Sequence, residues 1–65
     1  MTSMLMDDHG NALDAFDSLR EGIKALRNMC LTDIAARDEC VLLVFDKDGS
    51  PIEAISWEDL RLEGE

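Results

Sequence analysis

Seven apolar residues, Ala12, Phe16, Leu19, Ile23, Leu26, Cys30 and Ile34, recur at intervals of three or four, the spacing that lines one face of an α-helix. A stripe of that length has to be buried against something. The rest of the sequence offers one β-hairpin and a short tail, and a lone two-stranded hairpin is only marginally stable in water. The pattern therefore asks for a further surface, and a second copy of the chain would supply it.

Size sharpens that demand. The chain has 65 residues, and a domain so small buries only about 60 % of the surface its unfolded chain exposes. One domain, residues 1–65, is the expectation. Cys30 and Cys40 stand at the end of the stripe and at the start of an apolar strand, where a reduced thiol packs as a small hydrophobe. Their spacing suits no zinc site. The opening Met1-Thr-Ser-Met-Leu-Met6 runs straight into Asp7-Asp8 without the basic start or long apolar core of a secretory signal, so a cytoplasmic location is expected. The longest apolar run, Cys40 to Phe45, falls far short of the roughly 20 residues that cross a bilayer.

Fifteen acidic residues against six basic ones give a net charge of −9, which disfavours direct binding to a phosphate backbone. The charge is unevenly spread. Residues 1–19 carry four acids and no lysine or arginine, residues 20–37 four bases and two acids, and residues 38–65 nine acids and two bases. Asp46, Asp48, Glu53, Glu58 and Asp59 form a candidate acidic surface for a basic protein partner. Arg20, Lys24 and Arg27 make a basic row at i, i+4 and i+7 beside the apolar stripe, a pattern that ordinarily marks a solvated helix flank.

Residues 1–10 have no sustained period and read as a flexible arm, or as a short strand that orders only against a partner. Asn11, with Asp14 three residues on, forms an acidic variant of the capping box, so the helix is expected from about Ala12 to Met29, with Thr32 capping an extra turn to Ala36. From Phe16 to Cys30 the spacing matches the seam of a two-helix packing. Gly22 weakens that helix by about 1 kcal/mol relative to alanine, a cost tolerated where another part of the chain approaches closely. Cys40 to Phe45 is a β-rich run, apolar on both faces, and one helix covers only one of them. Asp46-Lys47-Asp48-Gly49 supplies the turn of a hairpin whose return strand runs from Pro51 to Ile55, with proline at its first position. Ser56 and Asp59 cap a short helical turn whose Trp57 and Leu60 fold back on the hairpin, and residues 61–65 read as a frayed tail.

The expected fold is thus α+β: one amphipathic helix packed on a β-hairpin, a short carboxy-terminal helical turn, and a homodimer. Its dimer or partner face would comprise Phe16, Leu19, Ile23, Leu26, Leu43, Phe45 and Trp57. Chemistry finds little support. Asp46, Asp48 and Ser50 alternate as in a calcium loop, but Pro51 and Trp57 stand where glycine and glutamate are required. Asp7, Asp8 and His9 are adjacent rather than spaced for one helix face. With one histidine, no tyrosine and no glycine-rich phosphate loop, neither catalysis nor a cofactor or metal is expected.

The segment from Asp48 through Gly49, Pro51, Ile52, Ala54, Ile55 and Trp57 to Leu60 resembles the hairpin and following acidic helix of antitoxins of the Phd/YefM type. That resemblance implies a dimeric DNA-binding antitoxin. The expected function is a small non-catalytic protein-binding module, an inhibitor or adaptor of the kind phage use against host defence or CRISPR systems. The rival expectations are a dimeric DNA-binding regulator or antitoxin using Arg20, Lys24 and Arg27, and a structural subunit docked through its apolar stripe.

Overall fold

A computed structural model describes residues 1–63, with side chains through Arg61. Two hairpins built on the same turn organise it. The first joins β1 (Thr2–Asp7) to β2 (Ala12–Phe16), and the second joins β3 (Cys40–Phe45) to β4 (Pro51–Ile55). Between them lie α1 (Leu19–Thr32) and the single turn α2 (Ala36–Glu39), and α3 (Trp57–Glu63) follows β4. The four strands make one antiparallel sheet in the order β2-β1-β3-β4.

Residues 1–10 are therefore not a flexible arm, because β1 is an inner strand paired along its length with β3. The helix does not begin at Ala12. Ala12 and Phe16 share a helical spacing with Leu19 only by coincidence; in the chain they lie in β2. Asn11 caps nothing and instead closes the first turn, donating its backbone N–H to Asp7 Oδ1 at 2.8 Å. The true cap is Ser18, whose Oγ accepts the Glu21 N–H at 3.2 Å, as the Ser-x-x-Glu sequence dictates. At the other end α1 stops at Thr32, whose hydroxyl turns back to the carbonyls of Asn28 and Met29 rather than capping a further turn. Ile34, the last member of the stripe, is 73 % exposed. The sheet is four-stranded within one chain, so one helix on one hairpin is replaced by three helices on two hairpins.

The second hairpin and the helix after it match expectation. Asp46 Oδ1 accepts the N–H groups of Asp48 and Ser50, Gly49 takes a φ of 84°, and Ser56 donates its N–H to Asp59 Oδ2 at 2.9 Å at the start of α3. Of the expected frayed tail, residues 61–63 belong to α3, and residues 64 and 65 lie outside the described residues.

The two hairpins are copies of one unit. Adding 39 to the residue numbers of the first gives the second, and the register follows throughout: Ser3 opposite Phe16 becomes Leu42 opposite Ile55, and Met4 opposite Ala15 becomes Leu43 opposite Ala54. The β-bulge between Leu5 and Met6 recurs between Val44 and Phe45. So does the turn chemistry, with Asp7 Oδ1 accepting from His9 and Asn11, and Gly10 at a φ of 85°. Asp7, Gly10 and Ala15 are identical to Asp46, Gly49 and Ala54, while Leu13, Asp14 and Phe16 answer to Ile52, Glu53 and Ile55. A serine also begins the helix after each hairpin, Ser18 before α1 and Ser56 before α3, the second one residue short of the 39-residue offset.

All three helices contribute to one core on one face of the sheet. Leu26 and Cys30 of α1, Ala36 of α2 and Leu60 of α3 are buried with Leu5, Cys40, Leu42, Val44 and Ile55. Leu26 and Cys30 of the α1 stripe are thus covered within the chain, with Leu19 and Ile23 half-buried against the same core. Gly22 is what lets α1 lie so close: a β-carbon there would overlap Ser3 Oγ and stand 2.9 Å from Leu42 Cδ1. Ser3 is buried and donates its hydroxyl to the Ser18 carbonyl at 3.0 Å, tying β1 to the start of α1. Arg37 fastens the other end, donating Nε–H to the Cys30 carbonyl at 2.9 Å with its guanidinium 4.7 Å from the Trp57 ring centre.

Candidate binding face

Side chains alternate across a strand, so the residues between the core positions point to the opposite face of the sheet. In β1 these are Met4 and Met6, and in β3 they are Val41, Leu43 and Phe45, with Leu43 directly opposite Met4 and Val41 opposite Met6. The outer strands add Leu13 and Ala15 on one side and Ile52 and Ala54 on the other, Leu13 being 47 % and Ile52 52 % exposed. Among the described residues no charged side chain falls on this face. None of the five inner-strand side chains belongs to the core or to the half-buried residues packed against it, and each is partly buried.

The doubly apolar run from Cys40 to Phe45 thus has cover on one side only. Its burial alternates strictly, buried at Cys40, Leu42 and Val44 and intermediate at Val41, Leu43 and Phe45. An apolar face spanning four strands is unusual for a sheet left to solvent, which ordinarily reads polar on its outer side.

The expected apolar contact residues are divided by this arrangement. Leu43 and Phe45 lie on the open face. Leu26 is fully buried in the core, and Phe16, Leu19, Ile23 and Trp57 pack against that core on the helical side. Val41 shares the face of Leu43 by strand alternation alone, whereas Met4 and Met6 were not expected there, because only the pairing of β1 with β3 puts them beside Leu43. The repeated Asp-x-x-Gly turn at Asp7 and Asp46 was the sequence signal that could have found them.

The expected acidic surface is divided as well. Asp46 and Asp59 are engaged by the turn and the helix cap, and Glu58 lies 3.6 Å from Arg61. Glu53 and Asp59 share a small groove of about 290 Å³ with Leu19, Ile23 and Leu60, while Asp48 stands apart at the hairpin tip. On the far side of the Leu19 and Ile23 ridge, Arg20, Lys24 and Arg27 border a shallow depression of about 710 Å³. Among the described residues, none of these three cations has a carboxylate within 4.0 Å.

Burial pushes the Cys30 thiol above its ordinary pKa, with the neighbouring Cys40 adding to the effect. Burial does the same to Cys40, whose Sγ lies 3.6 Å from Met29 Sδ. Both are free thiols inside the core, as their positions in the sequence imply. Among the described residues no cluster of three or more His, Cys, Asp or Glu side chains is placed to hold a metal ion, and no helix is long and apolar enough to cross a membrane. The chain matches no family model, no curated protein and no solved structure.

Proposed function

We propose that the chain is a non-catalytic, cytoplasmic protein-binding module that works as a homodimer, in the manner of an inhibitor or adaptor. The uncovered apolar face of the sheet carries this reading. A face without charge in a chain of net charge −9 costs solubility unless protein covers it. With that face engaged, the helical side and the hairpin tips remain outward, and they carry most of the acids. Asp48, Glu53 and Glu58 there favour a partner with a basic surface, bound with an affinity that falls as salt rises.

Photoreactive methionine, incorporated in cells that make the chain, tests the binding role. Crosslinks from Met4 and Met6 to protein are expected, with Met29 crosslinking only inside its own chain. An absence of intermolecular crosslinks at both Met4 and Met6 would overturn the reading.

A DNA-binding regulator is the second reading, favoured by the exposed row of Arg20, Lys24 and Arg27, which has no carboxylate within 4.0 Å among the described residues. The net charge weighs against it, since a duplex approaching three cations also meets the field of the surrounding acids. A gel-shift series at low salt decides: retardation that Arg20→Glu and Arg27→Glu abolish would establish it, and none at micromolar protein removes it.

A further inference from the structure

We infer that the open face of the sheet is closed by a second copy of the chain, the two sheets stacking face to face; this rests on the binding role proposed for that face.

Symmetry is the first support. Met4 and Leu43 are equivalent residues of the two hairpins and also direct partners across β1 and β3, so an approximate two-fold axis passes through the sheet at that pair. The same axis carries the pair of Thr2 and Phe45 onto that of Val41 and Met6. On the outer strands it exchanges Leu13 with Ile52 and Ala15 with Ala54. Most positions of the face are therefore answered by another apolar residue, the exception being the polar Thr2, which answers to Val41. Closed homodimers use one patch against itself, and a face with its own two-fold presents that self-matching pattern in two near-equivalent orientations.

Charge is the second. The acids of the described residues lie in the turns and loops, on the helices and on the helical side of β2 and β4, where Asp14 and Glu53 are equivalent. A basic protein would find no carboxylate on the open face to pair with. A second copy brings none into contact and matches apolar surface with apolar surface.

Shape is the third. All the helices lie on the other side, so nothing in the described chain stands between two such sheets, and sheets stack about 10 Å apart when their side chains interdigitate. Four strands of about five residues make a face about 19 Å by 17 Å. Two such faces bury about 650 Å² in projection, less than a standard interface of about 1,600 Å², so the association is expected to be weak and concentration-dependent.

Sedimentation equilibrium of the full chain over micromolar concentrations is the test, and the mass is expected to climb from 7.3 kDa towards twice that value. Met4→Lys and Leu43→Lys should each weaken association roughly tenfold or more, whereas Leu31→Lys on the exposed side of α1 should leave it unchanged. Should a lysine variant fail to fold, nuclear Overhauser contacts between differently labelled copies of the unaltered chain give the same information, with Met4 and Leu43 of one copy expected against the face of the other. A mass that stays at 7.3 kDa throughout, or a dimer whose intermolecular contacts fall on α1, would overturn the inference. In the monomeric case, crosslinks from Met4 and Met6 to a different protein would leave the binding role standing, and their absence would remove both.

Discussion

Met4 and Leu43 face each other at the centre of the sheet and are at the same time the same residue of two copied hairpins. The axis they mark relates the two hairpins on both faces of the sheet, and only the open face is left bare by the chain.

Neighbouring residues of β3 should consequently behave in opposite ways. Leu42 is fully buried, so Leu42→Ala is expected to lower stability by about 2–5 kcal/mol, the usual range for emptying a core site. Leu43→Ala, measured at concentrations too low for association, should change it by less than about 1 kcal/mol. Urea unfolding of the two variants followed by Trp57 fluorescence checks the contrast, and equal losses would mean that the open face is packed within the chain.

Gly22 offers a case where helix propensity points the wrong way. Alanine is worth about 1 kcal/mol more than glycine in an exposed helix interior, yet here its methyl would overlap Ser3 Oγ. Gly22→Ala is expected to destabilise by about 1–3 kcal/mol through overpacking. Pairing it with Ser3→Ala should recover part of the loss, a non-additivity of at least about 0.5 kcal/mol in denaturant midpoints.

The fold was legible in the sequence where local chemistry alone decides structure. The turn at Asp46 to Gly49, the strand start at Pro51 and the cap at Ser56 rest on neighbours within four residues, and all three are as expected. The amino-terminal half was not, for a physical reason. Ala12 and Phe16 are spaced like a helix face but alternate like a strand with Leu13 and Asp14, and the decision falls to pairing with β1, a contact no local pattern encodes. Half the candidate face suffered likewise: Leu43 and Phe45 follow from a strand apolar on both sides, whereas Met4 and Met6 acquire meaning only once β1 lies beside β3. The match between Asp7-x-x-Gly10 and Asp46-x-x-Gly49 was the one sequence feature able to bridge the gap.

Acid should loosen the first hairpin. The Asn11 N–H, helped by the Asn11 amide and the His9 N–H, holds the Asp7 carboxyl below its ordinary value of 3.8. A depressed carboxyl contributes stability above its unfolded value and loses it as pH falls through the folded one. The Asp7 side chain should therefore titrate below 3.8 in a carboxyl-shift experiment, and Asp7→Asn should remove that low-pH dependence. A midpoint at or above the ordinary value would show that the turn bonds are not kept in solution.

Both thiols should be inert in the folded chain. Burial raises the Cys30 and Cys40 pKa values, so little thiolate forms at neutral pH and access is blocked as well. An aromatic disulfide reagent is expected to react with neither until denaturant unfolds the chain, then with both. Rapid labelling of either under native conditions would place that cysteine outside the core.

The methionines report most directly on whether the open face is a contact surface. Met1 is exposed, Met29 packs against the core, and Met4 and Met6 lie on the face. With a soluble paramagnetic probe added to a concentrated sample, the methyl signals of Met4 and Met6 should stay as sharp as that of Met29 while Met1 broadens, and dilution should expose them. Broadening of Met4 and Met6 to the extent seen for Met1 at every concentration would contradict the closure of this face by a second copy.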